Sequence, residues 1–409
     1  MQPKLTFIHA ADLHLDSQME GLTIAHPAMK NRLQNSTFQS LNQLVQSAID
    51  FNVDFVLLAG DIFDSNRQSL KALVALREAF RMLEEHRIEV YMQYGNHDFT
   101  GKQPMMSYPE NVHIFPSEKV ETFFYEKNGE RAAAIHGFSY TTRHIESGKV
   151  QEFQVAGQGL YQIGMLHGSL ATGGAADVYA PFRIEELKRT GFDYWALGHI
   201  HKREILSEQP PVVYPGNIQG RHRKESGEKG CYLVEMEGQS CDMTFVPLQD
   251  IRFEEVVFVL KEAMAIHEVE KELMEQCLVW GERFSEAVLH VSFQGAVHQL
   301  LEWEQQDRLD ELLDIVNEQQ LSLGRQLVLA SYTILPSIDI EEDQLLERND
   351  FTAALLTNEY LPDELRHTLG ELTNNRQFRK IKQYYSESEM KDMLEEAKQL
   401  LLQTLWEVK

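Results

Sequence analysis

The sequence is poor in cysteine. Cys231, Cys241 and Cys277 are the only three in 409 residues, and no two of them stand at the spacing of a thiolate metal site. That excludes a disulfide scaffold and a zinc-ribbon type of protein, and fits a reducing cytoplasm. Long apolar runs are missing too. No stretch approaches the ~18 consecutive apolar residues of a membrane span, and the opening "KLTFIHAADLHLD" reads as a first strand rather than a signal peptide. Low-complexity tracts and internal repeats are absent. Positive charge is in deficit: the formal net charge is −25. An unaided, sequence-independent DNA binder relies on Lys and Arg against phosphates, so this balance argues against strong nucleic-acid binding by the chain alone. The deficit is uneven, since residues 251–340 carry 17 acidic against 6 basic residues. There is no helix-turn-helix or zinc-finger pattern, and no G-x-x-x-x-G-K-[ST] loop for ATP.

What the chain does have is alternation. The first 250 residues switch between short apolar runs ("KLTFIHAA", "VDFVLLAG", "IEVYMQYG") and helical periodicity near 31–51 and 69–86. Near-continuous apolar runs are those of strands buried on both faces. Further strands are expected at "AAAIHGF", "YQIGMLHG", "DYWALGHI", "PVVYPG", "GCYLVEM" and "DMTFVPL". Helical signals thin out after residue 190, which predicts a largely antiparallel second half. The class is α/β, with a two-layer mixed sheet core flanked by helices. The pattern restarts near 250. Strands near 252–260, 285–293 and 326–334 with helices near 264–278 and 296–318 predict a small α+β unit over 251–337. Residues 338–409 read as helical.

The strand ends carry the chemistry. Strand one runs into "ADLHLD" with Asp12 and His14, and strand two into "GDIFD" with Asp61 and Asp64. Strand three runs into "GNHD" with Asn96, His97 and Asp98, a later strand into "MLHG" with His167, and the next into "GHIH" with His199 and His201. Ligands of open α/β sheets bind beyond the carboxyl ends of strands. Singly, each motif is an ordinary turn. As an ordered set, D-x-H, G-D-x-x-D, G-N-H-D, H-G, G-H-x-H resembles the calcineurin-like metallophosphoesterase superfamily. Within it, "FIHAADLHLD", "VLLAGDIFD", "YGNHD", "WALGHIHKRE" and "YPGNIQGRHRKESGEKGCYLVEM" resemble the exonuclease subunits of DNA double-strand-break repair, SbcD and YhaO-like proteins.

The resemblance implies two divalent ions that clamp the attacking and leaving oxygens of a phosphoester. Asp12, His14, Asp61 and His201 would hold one ion; Asp61, Asn96, His167 and His199 the other, with Asp61 as the bridge. Oxygen and imidazole ligands suit manganese, iron or zinc, and the family's nucleases commonly use manganese. His97 would face the phosphate as a stabiliser or leaving-group acid, while Asp64 and Asp98 would orient histidines. Asp16 reads as a cap or solvated carboxylate, and His9, His136 and His144 as core or surface residues. Arg221, Arg223 and Lys224 in "QGRHRKE" are candidate phosphate-backbone contacts. The partners implied are DNA ends and a coiled-coil ATPase. The ATPase would dock on a final helix capped by Ser386 and Glu389, with Met390, Met393, Leu394, Ala397, Leu400, Leu401, Leu405 and Trp406 on one face. A homodimer through the 69–86 helix is a further expectation. Two other readings stand beside the nuclease: a phosphodiesterase or phosphatase on a nucleotide or phosphoprotein, and a weakly active scaffold subunit.

Overall fold

The computed structural model describes residues 2–335 except 18, 20–26, 66–67, 100–105, 172–178, 261–263 and 285; beyond 335 it describes Leu394 alone. The expected docking face from Met390 to Trp406 therefore lies, Leu394 apart, outside the described residues. In chain order the elements are β1 (Leu5–Ala10), α1 (Pro27–Asp50), β2 (Phe55–Ala59), α2 (Leu70–Glu85), β3 (Glu89–Gln93), β4 (Val112–Ile114), β5 (Glu121–Lys127), β6 (Glu130–Gly137), β7 (Tyr161–His167), α3 (Ile184–Lys188) and β8 (Tyr194–Gly198). They continue as β9 (Glu204–Glu208), β10 (Pro211–Tyr214), β11 (Gly230–Glu237), β12 (Ser240–Pro247), β13 (Arg252–Val259), α4 (Ile266–Phe284), β14 (Glu286–Gln294), α5 (Val297–Gln305), α6 (Arg308–Ser322) and β15 (Gln326–Leu335).

Two six-stranded mixed sheets form the body, ordered β12-β11-β1-β2-β3-β4 and β5-β6-β7-β8-β10-β9. Side-chain alternation along the strands explains the layers. In β1 and β2, Phe7, Phe55, Leu57 and Ala59 share one buried cluster with Ile135, Ile163, Met165, Tyr194 and Ala196 of the second sheet. The intervening residues Ile8, Ala10, Val56 and Leu58 face the other way and share a cluster with Leu41, Leu44 and Val45 of α1 and Leu73, Leu76 and Phe80 of α2. Trp195 and Leu197 turn outward on the second sheet, against Phe153, Phe182 and Leu187. Helix α2 begins where its cap allows: the Ser69 side chain accepts from the Ala72 N–H at 3.1 Å.

The antiparallel arrangement expected beyond residue 190 holds for β9, β11 and β12. It fails for β8 and β10, which run parallel to each other, with β8 also parallel to β7. The apolar "YWAL" and "PVVY" are buried along their whole length, as central parallel strands require. The consequence is functional. Strands β1, β2 and β3 are mutually parallel, as are β6, β7 and β8, so the motif-bearing carboxyl ends gather at one edge of each sheet. Strands β13, β14 and β15 form a three-stranded sheet ordered β13-β14-β15, and its strands and helices lie where the hydrophobic periodicity puts them.

His9 belongs to the core. It is fully buried, its Nε2 lies 3.0 Å from the Leu197 carbonyl and its Nδ1 3.0 Å from the Tyr194 hydroxyl. A carbonyl only accepts, so Nε2 carries the proton and Nδ1 receives the tyrosine's. Burial pushes its pKa down to about 3. A histidine depressed in the fold supplies stability that is present above its unfolded pKa of about 6.5 and is lost as pH falls. The expected loss is about 1.4 kcal/mol per pH unit below 6.5. Denaturant unfolding of wild type and His9→Gln at pH 7 and pH 5 measures it: the variant should lose about 2 kcal/mol less between the two. Equal losses would remove His9 from this role.

Candidate metal centre

Two loops are zipped together at the head of the first sheet. The Asp12 N–H donates to the Gly60 carbonyl, His14 N–H to Asp61 and Leu15 N–H to Ile62, each at 3.0 Å. Within this pair Asp12, His14 and Asp61 have φ of 52°, 42° and 49°, and across from them His199 has φ of 102°. Non-glycine residues in this region cost roughly 1–3 kcal/mol each and persist where surrounding contacts over-determine them. Here the interloop hydrogen bonds supply that constraint. Glycine is required at two points of close approach. A Cβ at Gly95 would stand 2.2 Å from Asp61 Oδ1, and one at Gly198 2.0 Å from the Ala59 carbonyl.

The result is two facing groups of side chains. Asp12, His14 and His201 offer ligand atoms within 4.8 Å of one another, and so do Asp61, His167 and His199. Asp61 stands between them: its Oδ2 is 3.4 Å from His167 Nε2 and 3.8 Å from His14 Nε2. Its Oδ1 accepts the His97 main-chain N–H at 2.9 Å. Asn96 Oδ1 lies 2.9 Å from His167 Nε2 and 3.0 Å from His199 Nδ1. All seven residues expected as ligands thus converge on one place.

The donor chemistry fits cations. His167 Nδ1 donates to the Ala59 carbonyl at 2.9 Å, so in the neutral ring its Nε2 presents a lone pair. His201 Nδ1 donates to Glu225 Oε1 at 2.6 Å, so its Nε2 does the same, 3.0 Å from His14 Nε2. His14 Nδ1 is buried without a hydrogen-bond partner. Carboxylates of Asp12 and Asp61, both 1% exposed, face these lone pairs. Buried lone pairs and carboxylates of this kind are stabilised by ions they coordinate. Electrostatics agree in direction. Burial pushes Asp12 up, with Asp61 adding to the rise. Burial pushes His14 well down and His199 down to about 3, the neutral state a ligand needs. For His167 burial works downward, but the Asp61 and Asp12 carboxylates outweigh it and raise the ring to about 9; a divalent cation on those carboxylates would take the place of that proton.

His97 Nδ1 lies 3.0 Å from the Asp64 main-chain carbonyl, so Nδ1 donates and Nε2 is left for other work. The ring lines a cleft of ≈ 570 Å³ together with Asp16, Ser17, Asp64, Gln68, Ser69, Arg221 and His222. Asp16, expected as a cap or a solvated carboxylate, is a half-buried residue of the cleft wall. One expectation changes. Asp98 orients no histidine: its carboxylate accepts main-chain N–H groups of Ile62, Phe63 and Gly95, at 2.6, 3.1 and 2.7 Å, and so braces the loop that bears Asp61. Asp64 holds His97 through its carbonyl, while its carboxylate accepts from Arg221 Nη1 at 2.6 Å and stands 3.6 Å from His14 Nδ1. Arg221 is thus tied into the site, and Arg223 Nη1 lies 3.1 Å from His290 Nε2.

Glu225 joins the site with no motif to mark it. Its carboxylate binds His201 and is held well below the usual range; burial opposes this, and His201, Arg221 and His222 outweigh it. The only sequence signal is a lone acid closing the basic run "QGRHRKE".

Residues 5–203 match the calcineurin-like phosphoesterase family. YhaO of Bacillus subtilis, an uncharacterized metallophosphoesterase, is 35% identical over 407 residues, covering 99% of each chain. The DNA double-strand break repair protein Mre11 of Methanocaldococcus jannaschii is 26% identical over 289 residues, covering 67% of this chain and 74% of its own. A dimetal phosphatase structure from Danio rerio is 12% identical with a TM-score of 0.36, covering 60% of this chain and 99% of its own, and carries no weight at that score. No helix among the described residues is long and apolar enough to cross a membrane. With a full-length relative at this identity and two metal-binding groups at the strand ends, the chain belongs to the calcineurin-like metallophosphoesterases, a family of hydrolases.

Proposed function

We propose that the chain is a two-metal phosphodiesterase acting on DNA ends, the nuclease subunit of an ATPase-linked repair complex in the cytoplasm. The observation that carries the reading is Asp61 Oδ2 between two sets of ligand atoms, 3.4 Å from one imidazole and 3.8 Å from the other. The likeness to Mre11 proteins of DNA double-strand break repair over two thirds of the chain supports the substrate class. Asp12, His14, Asp61 and His201 hold one ion and Asp61, Asn96, His167 and His199 the other, with manganese as the cofactor. Such ions supply Lewis acidity for activating water and polarising a phosphodiester. The protein's own part is positional. Asp61 spaces the ligand sets, and the 2.9 Å bond from the His97 N–H fixes Asp61. His97, anchored through Nδ1, uses Nε2 to stabilise charge on the phosphate or to protonate the leaving oxygen. Residues 251–337 act as the capping unit and 338–409 as the ATPase-docking segment. Arg223 and Lys224 are proposed to meet the DNA backbone.

The test is incubation of purified full-length chain with manganese and end-labelled duplex DNA, beside a chromogenic phosphodiester. Loss of end label with release of nucleotides is expected, abolished by Asp61→Asn. Turnover of the chromogenic ester alone would redirect the reading to a small-substrate phosphodiesterase. Turnover of neither would make the chain a scaffold.

A further inference from the structure

We infer that Glu225 is a positioning residue that dictates which nitrogen of His201 carries the proton, and thereby how tightly the Asp12–His14–His201 group holds its ion. The inference rests on the two-ion reading above. Glu225 is 8% exposed, and both its oxygens are committed. Oε2 accepts the Arg221 main-chain N–H at 2.8 Å and the Asn217 amide at 2.9 Å. Oε1 meets His201 Nδ1 at 2.6 Å and stands 3.5 Å from His222 Nε2. An ionised carboxylate accepts only, so Nδ1 carries the hydrogen and Nε2 keeps its lone pair for a cation. Arg221 Nη2, 3.3 Å from the same Nδ1, is a second donor at longer range. It cannot set the tautomer against a carboxylate at 2.6 Å.

Substitution by glutamine then does something specific. The Arg221 N–H belongs to the main chain and cannot be turned round. The Asn217 amide nitrogen also donates to the Gln219 carbonyl at 2.8 Å, which holds its orientation. Both donors require an oxygen, so the glutamine oxygen takes the Oε2 position. Its NH₂ group takes the other and faces His201 Nδ1. That nitrogen must now accept, which moves the ring hydrogen to Nε2, where it blocks ligation. Alanine makes a weaker demand: only Arg221 Nη2, at 3.3 Å, is left to donate to Nδ1, and water entering the vacated space can accept from that nitrogen instead, so part of the ligating tautomer survives. The His201 main chain does not depend on Glu225, because Lys229 Nζ donates to its carbonyl at 3.1 Å. The near-isosteric variant is therefore expected to be worse than the truncated one. A purely structural role for Glu225 predicts the reverse order.

The experiment is calorimetric titration of full-length wild type, Glu225→Gln and Glu225→Ala with manganese alone, with circular dichroism of each. Wild type should bind two ions. Glu225→Gln should weaken one of them roughly 10–100-fold, the usual cost of losing a ligand's outer hydrogen-bond partner, and leave the other unchanged. Glu225→Ala should lose less. Two wild-type-like ions in Glu225→Gln, or a greater loss in a folded Glu225→Ala, would overturn the inference while leaving the two-ion reading intact. If Glu225→Ala does not fold, the comparison of Glu225→Gln with wild type decides alone. Fewer than two ions in wild type would overturn the two-ion reading, and this inference with it.

Discussion

Replacing Asp61 by asparagine should remove both ions and reduce phosphodiester hydrolysis to background. The change is nearly isosteric, so the fold should survive, but the carboxylate between the two ligand groups is gone. Asp61 Oδ2 faces His14 Nε2 at 3.8 Å and His167 Nε2 at 3.4 Å, so this one carboxylate serves both groups. Its ionised form is strongly favoured: burial opposes ionisation, and His167, His14 and His97 outweigh it. The affinity loss should exceed the roughly 10–100-fold assigned to outer hydrogen-bond partners. His14→Ala should weaken mainly one ion. Elemental analysis of the purified variants distinguishes the cases, and two tightly bound ions in Asp61→Asn would sink the bridging role.

Replacing His97 by alanine should leave both ions and DNA affinity in place and lower turnover by roughly 10²–10⁴, the range for acid–base or electrostatic groups. The side chain takes no part in the ligand groups. Its ring is held at Nδ1 by the Asp64 carbonyl and opens on the cleft. The link to Asp61 runs through the main-chain N–H, which alanine keeps. Single-turnover rates with saturating manganese measure the effect. An unchanged rate would make His97 a bystander, and lost metal would make it structural.

Much of this site is legible in the amino-acid sequence because its parts sit at strand ends. A buried strand announces itself by an apolar run, and the polar residue after "VLLAG" or "YWALG" has little choice but to face the edge where parallel strands finish. Asp12, Asp61, Asn96, His167, His199 and His201 are legible for that reason. Glu225 is not, because it reaches His201 across 24 residues from a loop whose neighbours are basic. The bracing role of Asp98 is hidden because its partners are main-chain N–H groups, which no side-chain motif marks. Strands β5 and β9 escape sequence reading for a different reason. Both are edge strands without a buried residue; β9 has no apolar run, and β5 has only Phe123, Phe124 and Tyr125 between charged residues. The parallel pairing of β8 with β10 depends on the excursion of β9 between them, a matter of topology rather than of local pattern.

A dinuclear centre bridged by Asp61 is proposed from its distances to His14 and His167. Its most direct test is a crystal of the full-length chain soaked in manganese, with anomalous difference density recorded at the manganese edge. Two peaks are expected roughly 3.5–4 Å apart, one against Asp12, His14 and His201, the other against Asn96, His167 and His199, with Asp61 between them. A single peak, or two peaks of which neither touches Asp61, would contradict the bridged centre.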